Sequence, residues 1–543
     1  VVIFCIWSHL GRQSGRGDLF NPEGAIGFAY VGCIRIGELK ETLYFFAETA
    51  AEFPASVSEK GSLDMSSSIT TMPVRTDATA TGSVTLEEAV LDFIEAYSVD
   101  DLDADTRRSA IRLMQDQLAN QVACSQLPWS RNTLAYVRSQ NRPGASTVTV
   151  EGDRMSAIDA IMANATFGHA FEYDDAHRES ASHPGACVVP VSLALGEELG
   201  STPDEVLAAM VAGYEVYTRI GSIAAPELLS QGFHPHCMLS TFGAATVAAK
   251  LMRLDRAQTS HALAIAMSFA SGTTEYTSSG GSVKRVHSGI GATGGLRAAL
   301  MASHGITGPV SYLTGNKGFY KTFLGMDVGP EAAERFKPGR PVEILKVWIK
   351  PYLCCGCIHG YIDAVTPFAG RASDVDQVDI RIQRSANVPV GTKNENAYTP
   401  TMIEHVQYSL PVQLAFTLMG MGNGYQVHLA AKEGRLDLSH DGEILSLARR
   451  VKMTEDPDLD VQYPGKFVAD VTLRWKDGSS DHVFIEDSTG TVENPMSTEQ
   501  LEGKFRELTE GVLGEDKASA LLEGIRQFGG NGEVRAFTSL LVK

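Results

Sequence analysis

The chain has 543 residues, with 46 Lys and Arg against 65 Asp and Glu, a formal charge of −19. That length predicts two to four domains, and 43% apolar with 20% charged residues is the composition of a folded globular chain, not a disordered one. The acidic balance argues against nucleic acid, whose phosphates need a basic footprint, yet it permits a small anionic substrate in a cleft of local Lys, Arg and His. No run of 18 apolar residues occurs, so neither a membrane-spanning helix nor a membrane partner is expected. Eight cysteines are too few for a secreted disulfide framework at this length, and a cytoplasmic location is the expectation.

The first 64 residues contain no methionine and no sustained period, and the apolar opening Val1–Trp7 lacks the layout of a signal peptide. Pro54–Thr81 is rich in Ser, Thr and Ala and reads as a linker. Residues 1–82 are therefore expected to be an extension and linker, with the native start near Met65; a poorly ordered N-terminal arm is the alternative. Thr85-Leu86-Glu87-Glu88 then forms a capping box, followed by Leu86, Ala89, Val90, Phe93, Ile94 and Tyr97 at helical spacing. Thr202-Pro203-Asp204-Glu205 repeats that logic with proline at the first helical position. Ala-rich helices are predicted at about 106–123, 154–171, 187–199, 240–252, 256–270 and 290–304.

After residue 343 the pattern changes. Val378, Ile380 and Ile382 alternate with polar residues, which predicts a strand. Phe467–Leu473 and His482–Ile485 flank Lys476-Asp477-Gly478-Ser479, a hairpin signal. Val406–Leu418 and Asp441–Lys452 read as helices, and Thr498–Lys543 is helical again. The predicted fold class is mostly α: a helical domain over 83–343, an inserted α+β domain over 344–488, and C-terminal helices over 489–543 that complete the helical domain.

The segment richest in chemistry is Asn164–His177, followed by Ser182-His183-Pro184-Gly185. It sets Glu172, Asp174 and Asp175 at a helix end, with His169, His177 and His183 nearby. Acids this close repel, and burial raises the pKa of one of them, which suits general acid–base work; a solvated acidic loop would have the same spacing. Asp174-Asp175-x-His177 lacks a visible second half of a metal site. Cys354-Cys355-Gly356-Cys357-x-His359 has no matching cysteine pair elsewhere and reads as buried structural cysteines, so no metal is expected. Gly232-Phe233-His234-Pro235-His236 precedes the helix expected near Ser240, whose N-terminus can seat a carboxylate. Lys284, Arg285 and His287 lie within Gly280–Gly289, a Gly/Ser loop leading into a helix; a lysine there should pack little of the core, and a solvated basic turn is the alternative. Lys350-Pro351-Tyr352 opens the insert, at a boundary where clefts form. No Gly-x-Ser-x-Gly elbow and no Gly-x-Gly-x-x-Gly after a strand is present, so no nucleotide, flavin or nicotinamide cofactor is indicated.

Taken in order, Asn164–Asp175, His183–Glu198, Gly232–Asp255, Ser282–Gly308, Lys350–Val365 and Gln407–Leu418 resemble the MmgE/PrpD family. That family includes 2-methylcitrate dehydratases, cis-aconitate decarboxylases and an iminodisuccinate epimerase. The resemblance implies that the insert over 344–488 is a lid, that the enzyme is a homodimer, and that its chemistry needs no metal or organic cofactor. It implies active-site places for Glu172, His183, His234, Lys284 and Lys350; read with their neighbours, the expected catalytic set is His183, Glu172, Asp174 and Lys284, and the expected substrate-binding set is His234, His287, Lys350 and Asp175. Ala176 stands where the animal decarboxylases have threonine, Cys355 where they have histidine, and their active-site tyrosine has no placed counterpart. Asp175-Ala176-His177 and His183-Pro184-Gly185-Ala186 depart from the methylcitrate dehydratases. The implied activity is a lyase acting on a small di- or tricarboxylate. An epimerase using the same pocket, or a catalytically inactive binding homologue, is the alternative. A chain beginning at Met65 is expected to fold and keep the activity of the full chain. Loss of its helical circular dichroism signal would count against that.

Overall fold

Side-chain caps and prolines open several of the long helices where the sequence places them. The computed structural model describes residues 84–225, 227–340, 342–462 and 465–543; the extension and linker expected over 1–82 lie outside the described residues. The first half is a succession of helices: α1 (Leu86–Ala96), α2 (Ala104–Cys124), α3 (Pro128–Gln140), α4 (Ala157–Gly168), α5 (Gly185–Leu199), α6 (Pro203–Ala224), α7 (Pro235–Leu251), α8 (Arg256–Ala266) and α9 (Val283–Ser303). The box at α6 is complete, with Thr202 and Glu205 each satisfying the other's backbone N–H. The box at α1 is half made. Thr85 accepts from the Glu88 N–H at 3.2 Å, but the Glu88 carboxylate joins Asp92 and Glu95 around Arg256.

The core of this half is α9 packed against α7, α8 and α4. Glycine permits the closest approach. A Cβ on Gly291 or Gly295 of α9 would fall on the carbonyl oxygens of Cys237 and Thr241 in α7. The β-strands Pro143–Thr147 (β1) and Arg154–Met155 (β2) form a small antiparallel pair between α3 and α4.

The second half carries a four-stranded sheet of β3 (Val375–Ile382), β4 (Val451–Glu455), β5 (Ala469–Trp475) and β6 (Ser480–Ile485), in the order β4-β3-β5-β6. β3 runs parallel to β4 and antiparallel to β5, with Ile380 facing Met453 on one side and Val471 on the other. The expected hairpin joins β5 to β6 through Lys476–Ser479, with Gly478 at φ 86°. Helix α10 (His359–Val365) covers the sheet beside β5 and β6. The helices α11 (Ile403–Gln407) and α12 (Leu410–Leu418) follow, and α13 (Thr498–Leu513) and α14 (Glu515–Arg526) return to pack on α2.

Several boundaries differ from the sequence reading: the helix expected over 154–171 runs only from Ala157 to Gly168, with Arg154–Met155 in β2, and four further differences bear on the sheet or the site. The helix expected over 441–452 ends at Ala448, and Val451–Glu455 becomes β4 because it pairs with β3; tertiary pairing overrides a short helical pattern. The helix expected over 406–418 breaks at Tyr408, where the Ser409 hydroxyl caps α12 by accepting from Val412 N–H at 3.1 Å and Pro411 follows. Helix α7 starts at Pro235, not near Ser240, so His234 is its N-cap residue. Helix α9 starts at Val283, so Lys284, Arg285 and His287 lie on its first turns and not in a loop. Gly295→Ala should therefore lower stability by about 1–3 kcal/mol as an overpacked contact, even though alanine is the better helix former. Urea unfolding would measure it.

Candidate active site

Helix α4 ends at Gly168, and the chain beyond it runs beside the segment that opens the second half. Ala176 and Trp348 exchange two backbone hydrogen bonds of 2.9 Å, and the Tyr173 hydroxyl donates to Pro351 O at 3.0 Å. Residues 172–176 are thereby fixed alongside Lys350. The first turn of α9 brings Lys284 to the same point, the N-terminus of α7 brings His234 and His236, and the break between α11 and α12 brings Tyr408.

Glu172 is the centre of this cluster. Its φ of 63° lies in the left-handed region, which a non-glycine residue occupies only when its surroundings enforce it. Gln407 donates to Phe171 O at 3.1 Å and Lys350 Nζ to Glu172 O at 3.1 Å, holding the peptides on both sides. The buried carboxylate pairs with the Lys284 ammonium through Oε1. Oε2 accepts from the Tyr408 hydroxyl at 3.1 Å and lies 3.8 Å from Lys350 Nζ. Burial, with Arg285 and Lys350 nearby, pulls the Lys284 pKa well below its ordinary value. Arg285 is turned elsewhere, donating to Glu404 at 2.8 Å and Gln407 at 3.1 Å.

Five histidines pack around this centre. His183 Nδ1 lies 2.7 Å from Asp175 O. A carbonyl only accepts, so Nδ1 carries the proton and Nε2 is left with a lone pair. The side chain keeps 17% exposure, and burial lowers its pKa. His169 Nδ1 donates to Asp174 at 2.7 Å, and its ring centroid is 4.3 Å from that of His236. His236 Nδ1 meets the Tyr217 hydroxyl at 2.8 Å. His234 and His287 share one hydrogen bond between their Nδ1 atoms at 2.9 Å, with the Tyr276 ring beside both. Burial holds His169, His234 and His236 far below the ordinary imidazole value, and His287 at about 4. These imidazoles are neutral near pH 7, so His287 offers a hydrogen bond and not the positive charge that the sequence reading allowed it.

Residues 88–330 match the MmgE/PrpD N-terminal domain and residues 352–527 the MmgE/PrpD C-terminal domain. The chain belongs to the MmgE/PrpD family. Among its relatives, the cis-aconitate decarboxylase of Aspergillus terreus is 27% identical over 470 residues, covering 82% of this chain and 93% of that protein. The cis-aconitate decarboxylase-like protein oryM of Aspergillus oryzae is 28% identical over 321 residues, 56% of this chain and 65% of its own. The cis-aconitate decarboxylase of Homo sapiens is 24% identical over 419 residues, 73% and 82% of the two chains.

Within this MmgE/PrpD chain, Glu172, His183, His234, Lys284, His287 and Lys350 all meet at the cluster. Asp174 is fully buried between His169 and His183, with one oxygen 3.9 Å from His183 Nδ1. Asp175, expected to face substrate, is engaged elsewhere: its oxygens accept from Gly185 N–H and the Tyr214 hydroxyl, which ties the His183 turn to the start of α5. Its carboxyl is pushed well above the usual carboxylate range by burial and by Asp174. Sequence reasoning missed Tyr408, Tyr276 and His236. The signal for Tyr408 was present, because Ser409 and Pro411 mark a new helix start just after it. Ala176 contributes its backbone to the Trp348 pairing. Cys355 was read as structural, but it is half-buried beside the lysines. Hydrogen bonding from Cys357, with Lys350 and Lys284 nearby, brings its thiol down to about 7. His359 points to Cys354 O at 3.3 Å. Among the described residues, no group of three or more His, Cys, Asp and Glu is arranged to hold a metal ion, and no helix is long and apolar enough to cross a membrane.

The expectation that Lys284 packs little of the core fails, since the residue is buried and paired. Lys284→Ala would strand the Glu172 carboxylate, and removing one partner of a buried pair costs about 3–5 kcal/mol. Thermal and denaturant unfolding should register that loss. An unchanged melting temperature would show that the pair is not formed in solution.

Proposed function

We propose that this chain is a lyase acting on a small di- or tricarboxylate, of the decarboxylase type, with its own side chains doing the acid–base work. The observation that carries the reading is the partly exposed His183, its Nδ1 proton fixed on Asp175 O and its Nε2 free to exchange a proton, beside the Lys284–Glu172–Lys350 cluster. The likeness to the cis-aconitate decarboxylases supports it. Lys350 and Lys284 attract the substrate carboxylates, and Glu172 and Tyr408 set the lysine positions. Loss of CO₂ leaves an electron pair on carbon, delocalised toward a neighbouring carboxylate as an enolate. Cations already in place stabilise that charge without reorganising. His183 then delivers a proton to carbon. The residues from both halves that meet at Glu172 support a second element of the proposal, that the segment over 344–488 acts as a lid.

The pH dependence follows from the protonation state of His183. Free, its pKa is lowered below 6.5 by burial. Bound carboxylates raise it, so substrate binding takes up a proton, and affinity falls as pH rises above the free value. For decarboxylation, kcat should fall as pH rises through the bound-state value, because the protonated form is then lost. Dehydration or epimerisation begins with His183 as a base, and would instead lose kcat/KM as pH falls below the free value. A panel of polycarboxylates followed by NMR for released CO₂, water or inverted stereochemistry tests the reading. His183→Gln should lower kcat by about 10²–10⁴-fold. A chain that consumes no acid on the panel, or a His183→Gln variant with full activity, would refute it.

A further inference from the structure

Lys504 lies on α13, far in sequence from every residue of the cluster, yet its ammonium is buried directly behind two of the segments that form it. An ammonium has three donors; here two go to main-chain carbonyls, and its charge is paired with Asp116. Lys504 Nζ is 2.6 Å from Asp116 Oδ1 on α2, 2.8 Å from Tyr173 O and 2.8 Å from Lys350 O. The Tyr173 ring centroid lies 3.8 Å from the same nitrogen. Asn120, one turn beyond Asp116, adds a 3.3 Å hydrogen bond to Tyr173 O. The two carbonyls belong to Tyr173, the residue after Glu172, and to Lys350 itself.

We propose that Lys504 is a positioning residue, which sets the distance between the Glu172 turn and the Lys350 segment by binding both main chains at once. Stability alone does not account for it. A buried ion pair contributes little relative to apolar residues of the same volume, because desolvation offsets the attraction. A geometric role does account for a donor group aimed at two carbonyls on different segments. Glu172 sits in a left-handed conformation next to one of those carbonyls, and Lys350 Nζ must reach Glu172 O across the gap. The clamp keeps that gap constant. This inference rests on the proposed lyase reading for its catalytic consequence, but not for its structural one.

The test compares Lys504→Met with the double variant Lys504→Met/Asp116→Leu. The single variant leaves Asp116 buried and unpaired and is expected to be less stable. The double variant removes both charges and should melt close to the wild type. Two readouts separate positioning from folding. The first is turnover of the polycarboxylate that the wild type consumes fastest in the NMR panel: the folded double variant should lose kcat about 100-fold, the effect of roughly 1 Å of misplacement, with KM changed far less. The second needs no turnover. The rate at which iodoacetamide alkylates Cys355, followed by peptide mass spectrometry across pH, reports on Lys350, whose charge helps hold that thiol down. Its midpoint should move up in the double variant. If the wild type consumes no acid, the lyase reading fails and the alkylation profile alone decides the role of Lys504. A double variant with wild-type kcat, or with an unchanged alkylation profile, overturns the proposal. So does unfolding of both variants, since the lysine would then hold the fold and not the site.

Discussion

The buried carboxylate of Glu172 is the interaction on which the rest of this structure depends. A carboxylate taken out of water needs compensating charge and hydrogen bonds. Here they arrive from separate parts of the chain: Lys284 from α9, Lys350 from the segment after residue 343, and Tyr408 from the break between α11 and α12. Lys284 comes from the same half of the chain as Glu172, but Lys350 and Tyr408 reach it only from the second half. The left-handed backbone at Glu172 is a second cost met in the same way, by donors to the carbonyls on either side. Completing the site therefore requires residues from both halves of the chain.

Burial also divides the chemistry between residue types. The imidazoles are neutral because the interior does not solvate their charged forms. On the proposed reading, positive potential falls to the lysines, and proton exchange to His183, whose side chain keeps 17% exposure and an oriented Nδ1 proton. His234 and His287 order each other through their shared hydrogen bond, and His169 is ordered by Asp174. In the proposed reaction, a polyanion entering this cluster would meet donors already aligned, and its own charge would raise the pKa of the histidine beside it.

Helix packing decides whether the groups reach one another. The glycines of α9 allow it to lie almost backbone to backbone on α7, which sets His287 against His234. The same helix carries Lys284 at its first turn, so the packing that fills the core also fixes the distance from α9 to the Glu172 turn. Bulkier residues at Gly291 or Gly295 would move a lysine as well as a helix.

The sequence by itself determined the helical character of the chain, the hairpin around Asp477-Gly478, the caps at Thr85 and Thr202, and the family. It did so because caps, turn residues and hydrophobic periods act between neighbours in the chain. It also marked Glu172, His183, His234, Lys284, His287 and Lys350, since unusual clusters of titratable residues stand out in a linear reading. Tertiary structure decided what each of them does. Asp175 turned to the start of α5, because a helix N-terminus and the Tyr214 hydroxyl lie where only folding brings them. Val451–Glu455 became a strand because β3 was there to pair with it. Lys284 passed from an apparent loop to a buried partner of Glu172, and Lys504, with no local signal at all, arrived behind the site from the far end of the chain. Burial, pairing and protonation depend on residues distant in sequence, and these properties exist only once the chain has closed on itself.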